Sequence, residues 1–364
     1  MDLIYSILQK GINLEATDIH LAPGEVPVYR INRKLFFAES MLPLSPENLE
    51  MMLDYFAKET PGLLETIEQK KQADFSYGYA GHRYRINIAR TKGSLSFSIR
   101  VIPNGEINVE AMGLTPIIQK LKKIDSGLVL ITGKVNSGKS TTMNAYIQEV
   151  NKVANKKIVT LEDPIEYVHT PNKSLIIQRE VGEELDVLSY YDGLINLLRE
   201  DADIAVIGEI RDRKTMDVAL DLAESGGLVI GTLHTRSCGE TLERIINLYD
   251  PVEQATIKNT VSNVLKLVVS QKLVVGTNNA LLMVPEVMVV NNTIAAHIRQ
   301  EKFNVSEIED AIHTQSDYGS LSFELSFADL YTRRLIDIQT IKDNIPPERM
   351  EIVKSNIARM GGNM

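Results

Sequence analysis

The chain has 364 residues, more than one ordinary hydrophobic core organises and enough for two domains. Charged residues at 24% and hydrophobic residues at 44% describe a globular protein and exclude a disordered or fibrous one. The net charge of −9 argues against wholesale nucleic-acid binding, and the single cysteine, Cys238, excludes an intrachain disulfide and a Cys-rich zinc module.

The charge is uneven: residues 1–103 carry 12 basic and 12 acidic side chains, so the remainder holds the whole deficit. The start, MDLIYSILQK, lacks a basic region followed by an apolar one and does not read as a signal peptide. No apolar run approaches the ~18 residues of a membrane span; Leu273–Val290 is broken by Gly276, Asn278, Pro285 and Glu286. A reducing, cytoplasmic compartment is expected.

Met1–Gly11 predicts an amphipathic helix, with Leu3, Ile4, Ile7 and Leu8 on one face. Ala16–Leu21 (ATDIHL) alternates as a strand, VYRIN is another, and SPENLEMMLDYFAKE is a helix with Ser45 as its cap. These make a small α+β module over residues 1–103. In RYRINIA, Tyr84, Ile86 and Ile88 alternate with polar residues, and in SLSFSIRV so do Leu95, Phe97, Ile99 and Val101. Two half-buried strands joined around Thr91-Lys92-Gly93 form a hairpin. With Ile86 set opposite Phe97, Arg83 falls opposite Arg100, and Arg85 shares their face. Opposed like charges cost stability, and no acid lies between Asp74 and Glu106 to relieve them. Such a face suits an anion; the alternatives are a solvated strand face or pairing with acids elsewhere in the chain. Residues 104–115 are the expected linker, opened by Pro103-Asn104-Gly105.

Residues 116–364 form the second expected domain. GKVNSGKS, Gly133–Ser140, follows the apolar run LVLIT and precedes a breaker-free helical stretch, the context that makes G-x-x-x-x-G-K-[ST] a P-loop. A chance match has odds of ~4×10⁻⁵ per position. The cradle comprises Gly133, Asn136, Ser137, Gly138, Lys139, Ser140 and Thr141, with Lys139 for the β- and γ-phosphates of ATP and the Ser140 hydroxyl for Mg²⁺. Further apolar runs (IVTL, IAVIG, LVIGTL) alternate with helical stretches, which predicts a largely parallel sheet with ligands at the carboxyl ends of its strands. Those ends carry Glu162, Asp163 and Glu166, then Glu209, then His234: carboxylates to polarise water and hold a metal through water, and a polar group to sense the γ-phosphate. Gly208 stands where an Asp usually closes the second such run. His234 taken alone also fits a hydrogen-bonded structural histidine, and Cys238 reads as packing. Beyond Thr241 the chain reads as helix-rich, including TIKNTVSNVLKLVVSQKL.

These residues together resemble the type IV pilus retraction ATPases (PilT-like) of the type II/IV secretion ATPase superfamily. ATDIHL, RYRIN and IRVIP match its N-terminal signature and arginine-bearing strands; LEDPIEYVH is similar to its Asp box, GEIRD to its Walker B and GTLHT to its His box. The resemblance implies a PAS-like domain before a RecA-like P-loop NTPase, assembled as a homohexamer that hydrolyses ATP with Mg²⁺. It further implies Glu209 as the catalytic carboxylate, Glu166 as its assistant and the hairpin arginines, Arg85 and Arg100, as fingers on ATP. Ser140 and Glu209 are the expected Mg²⁺ ligands, the latter through water. Implied partners are an inner-membrane pilus platform protein and a paralogous pilus ATPase, with the motor on the inner face of the cytoplasmic membrane. Absence of the long N-terminal extension and tetracysteine insert of assembly ATPases favours retraction; an assembly or secretion ATPase, or a nucleotide-binding accessory subunit, is the alternative. The chain departs from the family pattern at Lys134-Val135-Asn136, where Pro-Thr-Gly is usual, and at Gly227, Gly93 and Thr293–Lys302.

Overall fold

The computed structural model describes residues 2–31, 34–102, 106–182, 185–278 and 281–362. The chain divides into two units, one gathering Met1–Glu106 with Asp163–Val168 and Gly182–Asp186, the other holding the remainder. Pro103, Asn104 and Gly105, which open the expected linker, lie outside the described residues.

The first unit contains helices α1 (Asp2–Asn13), α2 (Pro46–Ala57) and α3 (Leu63–Lys70). Its strands are β1 (Asp18–Leu21), β2 (Val28–Ile31), β3 (Lys34–Phe37), β4 (Gln72–Tyr79), β5 (His82–Thr91) and β6 (Ser94–Val101). They form an antiparallel sheet in the order β3-β2-β1-β6-β5-β4. The alternation read from the sequence is the buried face: Tyr84, Ile86, Ile88, Leu95, Phe97 and Ile99 pack with α1 and α2 in one core. α2 starts at a reciprocal cap, in which the Asn48 N–H donates to Ser45 Oγ and the Ser45 N–H to Asn48 Oδ1.

The hairpin register differs from the expected one. Lys92 and Gly93 both take positive φ, +50° and +83°, and close a two-residue turn between Thr91 and Ser94. Ile86 therefore faces Ile99, and Arg85, not Arg83, faces Arg100. Nor are these arginines without local acids. Neighbouring strands supply them: Asp74 of β4 pairs with Arg85 at 2.7 Å, and Asp18 of β1 with Arg100 at 3.1 Å. The sequence distance that hid these acids is cancelled by sheet order.

The second unit is a RecA-like α/β domain. Its strands are β7 (Gly127–Gly133), β8 (Lys157–Glu162), β9 (Leu175–Glu180), β10 (Ile204–Ile207), β11 (Leu228–Leu233), β12 (Leu265–Val275) and β13 (Leu281–Val289). Their order is β13-β12-β7-β11-β10-β8-β9, parallel throughout except where β13 joins β12. β7, β10 and β11 are buried along their whole length, as strands covered on both faces must be. The helices are α4 (Thr115–Leu121), α5 (Lys139–Val153), α6 (Tyr190–Leu197), α7 (Arg213–Glu224), α8 (Cys238–Ile246), α9 (Gln254–Val264), α10 (Asn292–Arg299), α11 (Val305–Thr314), α12 (Phe323–Thr332), α13 (Ile338–Asn344) and α14 (Met350–Arg359). The helical reading of TIKNTVSNVLKLVVSQKL is corrected in its second half: α9 stops at Val264, and the chain continues directly as β12. A buried apolar run satisfies a helix face and a central strand equally, and here pairing with β7 decides. No helix among the described residues is long and apolar enough to cross a membrane.

Candidate nucleotide site

β7, β11 and β10 are neighbours in the sheet, so their carboxyl ends lie side by side. β7 delivers the P-loop. Gly133 has φ +148°, and a Cβ there would lie 2.3 Å from Ser137 Oγ and 2.5 Å from the Gln271 carbonyl oxygen, so only glycine fits. Asn136 takes φ +62°, a left-handed conformation that asparagine tolerates better than most residues. α5 begins at Lys139 behind Gly138, with no side chain among the described residues capping it, an uncapped helix start of the kind that binds anions. Ser137 Oγ is buried without a hydrogen-bond partner among the described residues, and Ser140 and Thr141 are half-buried in the first turn of α5. A cleft of about 310 Å³ beside the loop is lined by Lys134, Asn136, Arg236, Gln271, Lys272 and Asp343 among others. Basic side chains, an orphaned hydroxyl and an uncapped helix start fit a polyphosphate.

Lys139 is buried, and its Nζ donates to the carbonyls of Gly133 and Lys134 at 2.9 and 3.0 Å. Nζ also lies 3.4 Å from His234 Nδ1 at the end of β11. The other ring nitrogen, Nε2, lies 3.3 Å from Glu209 Oε1 beyond β10. An ammonium can only donate and a carboxylate only accept, so the neutral Nε2–H tautomer satisfies both contacts. Glu209 Oε2 takes a 2.7 Å ion pair from Arg211. Burial pushes the Glu209 carboxyl up, but Arg211, then His234 and Lys139, outweigh it and hold it below the usual carboxylate value. The glycine before it has a steric reason: a Cβ at Gly208 would lie 2.9 Å from the Tyr190 hydroxyl and 3.0 Å from the Leu161 carbonyl.

Of the residues singled out in the sequence, Gly133, Asn136, Ser137, Gly138, Lys139, Ser140, Thr141, Glu209 and His234 all belong to the second unit. Glu166, Arg85 and Arg100 belong to the first. There Glu166 is exposed, and Asp74, with Asp163 and Glu166, raises the pKa of Arg85. Glu162 is not an open carboxylate: it is buried and accepts from Thr160 Oγ1 at 2.7 Å and Gln178 Nε2 at 3.1 Å. Cys238 is buried, its N–H bound to Glu286 Oε2 at 2.6 Å, in keeping with packing. Sequence reasoning missed Arg211 and Gln271. Arg211 stands two after Glu209 in GEIRD, a legible signal; Gln271, whose Nε2 donates to Thr142 Oγ1 at 2.7 Å, depends on the pairing of β12 with β7.

The donor set suits a hard cation shared with phosphate, as Mg²⁺ is: Ser140 offers a hydroxyl and Glu209 a carboxylate. Among the described residues no group of three or more His, Cys, Asp or Glu side chains forms an all-protein metal cage.

Residues 83–316 match the family model described as type II/IV secretion system protein. The type IV pilus retractation ATPase PilT of Pseudomonas aeruginosa is 32% identical, over 90% of this chain and 94% of that protein. The type IV pilus ATPase PilU of the same organism is 29% identical over 91% of this chain and 84% of PilU. A crystal structure of the pilus retraction motor PilT with bound ADP superposes with a TM-score of 0.86 at 32% identity, covering 96% of this chain and 99% of that one. A P-loop with its lysine, histidine and carboxylate on adjoining strand ends, in a chain alike over nearly its whole length, places this protein among the PilT-like, nucleotide-binding ATPases of the type II/IV secretion system protein family.

Proposed function

We propose that the chain is the subunit of a homohexameric motor that hydrolyses ATP to retract type IV pili. The observation that carries the proposal is the continuous run from Lys139 through His234 to Glu209, which joins phosphate binding to a carboxylate held ionised. Lys139 and the N–H groups of the P-loop and the start of α5 bind the β- and γ-phosphates. Ser140, and Glu209 through water, would hold Mg²⁺, which would neutralise charge on the phosphate oxygens. Glu209 orients a water and accepts its proton as the water oxygen bonds to the γ-phosphorus and the bond to the bridging oxygen breaks, leaving ADP and phosphate. His234, bridging Lys139 and Glu209, reports the γ-phosphate to the carboxylate. Glu166 assists, and Arg85 and Arg100 act as fingers on the nucleotide of a neighbouring subunit, supported by their position opposite one another on one hairpin.

The motor works in the cytoplasm against an inner-membrane platform protein, beside a paralogous pilus ATPase. Residues 1–103 form its PAS-like domain, 104–115 the linker and 116–364 the motor domain. Deleting the gene tests retraction directly: surface pili should persist in excess while twitching stops. A strain without surface pili would assign the chain to assembly instead.

A further inference from the structure

Asn144 on α5, His169 beyond β8 and Gln178 on β9 have no part in the mechanism above, yet with Glu162 they form one connected set within the second unit. Asn144, one turn into α5, donates from Nδ2 to the Ser140 carbonyl at 2.9 Å. Its Oδ1 lies 2.7 Å from His169 Nε2. With Nδ2 spent on a carbonyl, Oδ1 must accept, so His169 carries its proton on Nε2. Burial pushes the His169 pKa down to about 4, so the ring is neutral at physiological pH and this polarity holds. The His169 N–H donates to Gln178 Oε1 at 2.8 Å, and Gln178 Nε2 donates to Glu162 Oε1 at 3.1 Å.

The two residues that Gln178 joins are the last before Asp163–Val168 and the first after it. That six-residue segment carries Glu166, and it is the part of the Asp box that belongs with the first unit. One amide thus spans both ends of the segment. The chain beyond is stitched to α5 as well: two turns after Asn144, Asn151 donates to the Thr170 carbonyl and accepts from the N–H groups of Asn172 and Ser174.

We propose that Gln178 is a positioning residue, closing the base of the Asp163–Val168 segment, with Asn144 and His169 tying that base to the first turn of the phosphate-binding helix. Gln178 sets where the segment that carries Glu166 leaves and re-enters the second unit. The proposal rests on the assisting role of Glu166 given above.

Gln178→Leu fills the space without either hydrogen bond. Amide exchange in peptides covering residues 163–168 should quicken, with the P-loop peptide unchanged. The kcat for ATP should fall about tenfold to a hundredfold while KM and ADP affinity hold within about twofold. Adding Glu166→Gln should lower kcat little further. Gln178→Glu keeps the acceptor for His169 but sets a second carboxylate against Glu162; a shared proton restores the missing donor. Its kcat should therefore recover as pH falls from about 8 to about 6, a trend absent from the parent protein. A purely structural role would lower Tm without that pH profile. Unchanged exchange at 163–168, or faster exchange with undiminished kcat, overturns the proposal. If Glu166→Gln alone keeps full kcat, the assisting role of Glu166 falls, and the exchange result by itself decides whether Gln178 closes the segment.

Discussion

His234 stands between Lys139 and Glu209, its Nδ1 3.4 Å from the ammonium and its Nε2 3.3 Å from the carboxylate. A ring so placed separates the group proposed to bind phosphate from the group proposed to activate water, and the two can be disabled one at a time. Lys139→Ala should abolish both nucleotide binding and turnover. Glu209→Gln should keep ADP affinity and lower kcat by about 10²–10⁴-fold. Calorimetric binding beside a phosphate-release assay checks the split; comparable turnover in either variant would refute the assigned roles.

The finger role proposed for Arg85 and Arg100 allows a clean experiment. Both sit in partly exposed pairs with Asp74 and Asp18, which contribute at most about 1 kcal/mol each. Alanine at either position should leave Tm almost unchanged, so any loss of ATPase activity reports catalysis. Mixing Lys139→Ala subunits with Arg85→Ala, Arg100→Ala subunits should regain activity in composite sites. No regain at any mixing ratio would count against action between subunits.

Glu286 predicts a pH dependence of stability. Burial, reinforced by Glu309 and Glu324, raises its carboxyl from the ordinary 4.5 to about 7, although the Cys238 N–H opposes the shift. Between those values the folded protein holds a proton that the unfolded chain has lost. The stability from this group is therefore complete below about 4.5 and is lost as pH rises to about 7. Glu286→Gln retains an oxygen for the Cys238 N–H and cannot ionise. Relative to the parent, its Tm should rise by several degrees at pH 8 and change little at pH 5; equal shifts at both would show that Glu286 does not titrate on unfolding.

The reciprocal cap of α2 should be worth its usual amount. Ser45→Ala removes the acceptor for the Asn48 N–H and should cost about 1 kcal/mol, seen in urea titration, with ATPase activity intact.

The parts legible in the sequence were those written in short spans. A glycine loop between strand and helix, a carboxylate or histidine just past an apolar run, and alternation in β5 and β6 depend on residues a few positions apart. What escaped depends on pairing. The hairpin register follows from two positive φ angles at Lys92 and Gly93, and a slip of two residues keeps the same faces buried while exchanging every partner. Asp18 and Asp74 look remote from Arg100 and Arg85 until β1 and β4 flank the hairpin. β12 hid inside a helical-looking run because its burial is set by β7, more than a hundred residues earlier. The Asn144–His169–Gln178–Glu162 set joins three elements, and no local pattern marks it.

Gly133 lies against the carbonyl of Gln271, which means that the phosphate cradle has a wall built from a strand bearing no nucleotide motif. A selection for chains that fold but no longer hold ADP should therefore recover substitutions near Gln271 as well as in the glycine loop. Those distant lesions would look allosteric on a linear map, although they act by direct contact.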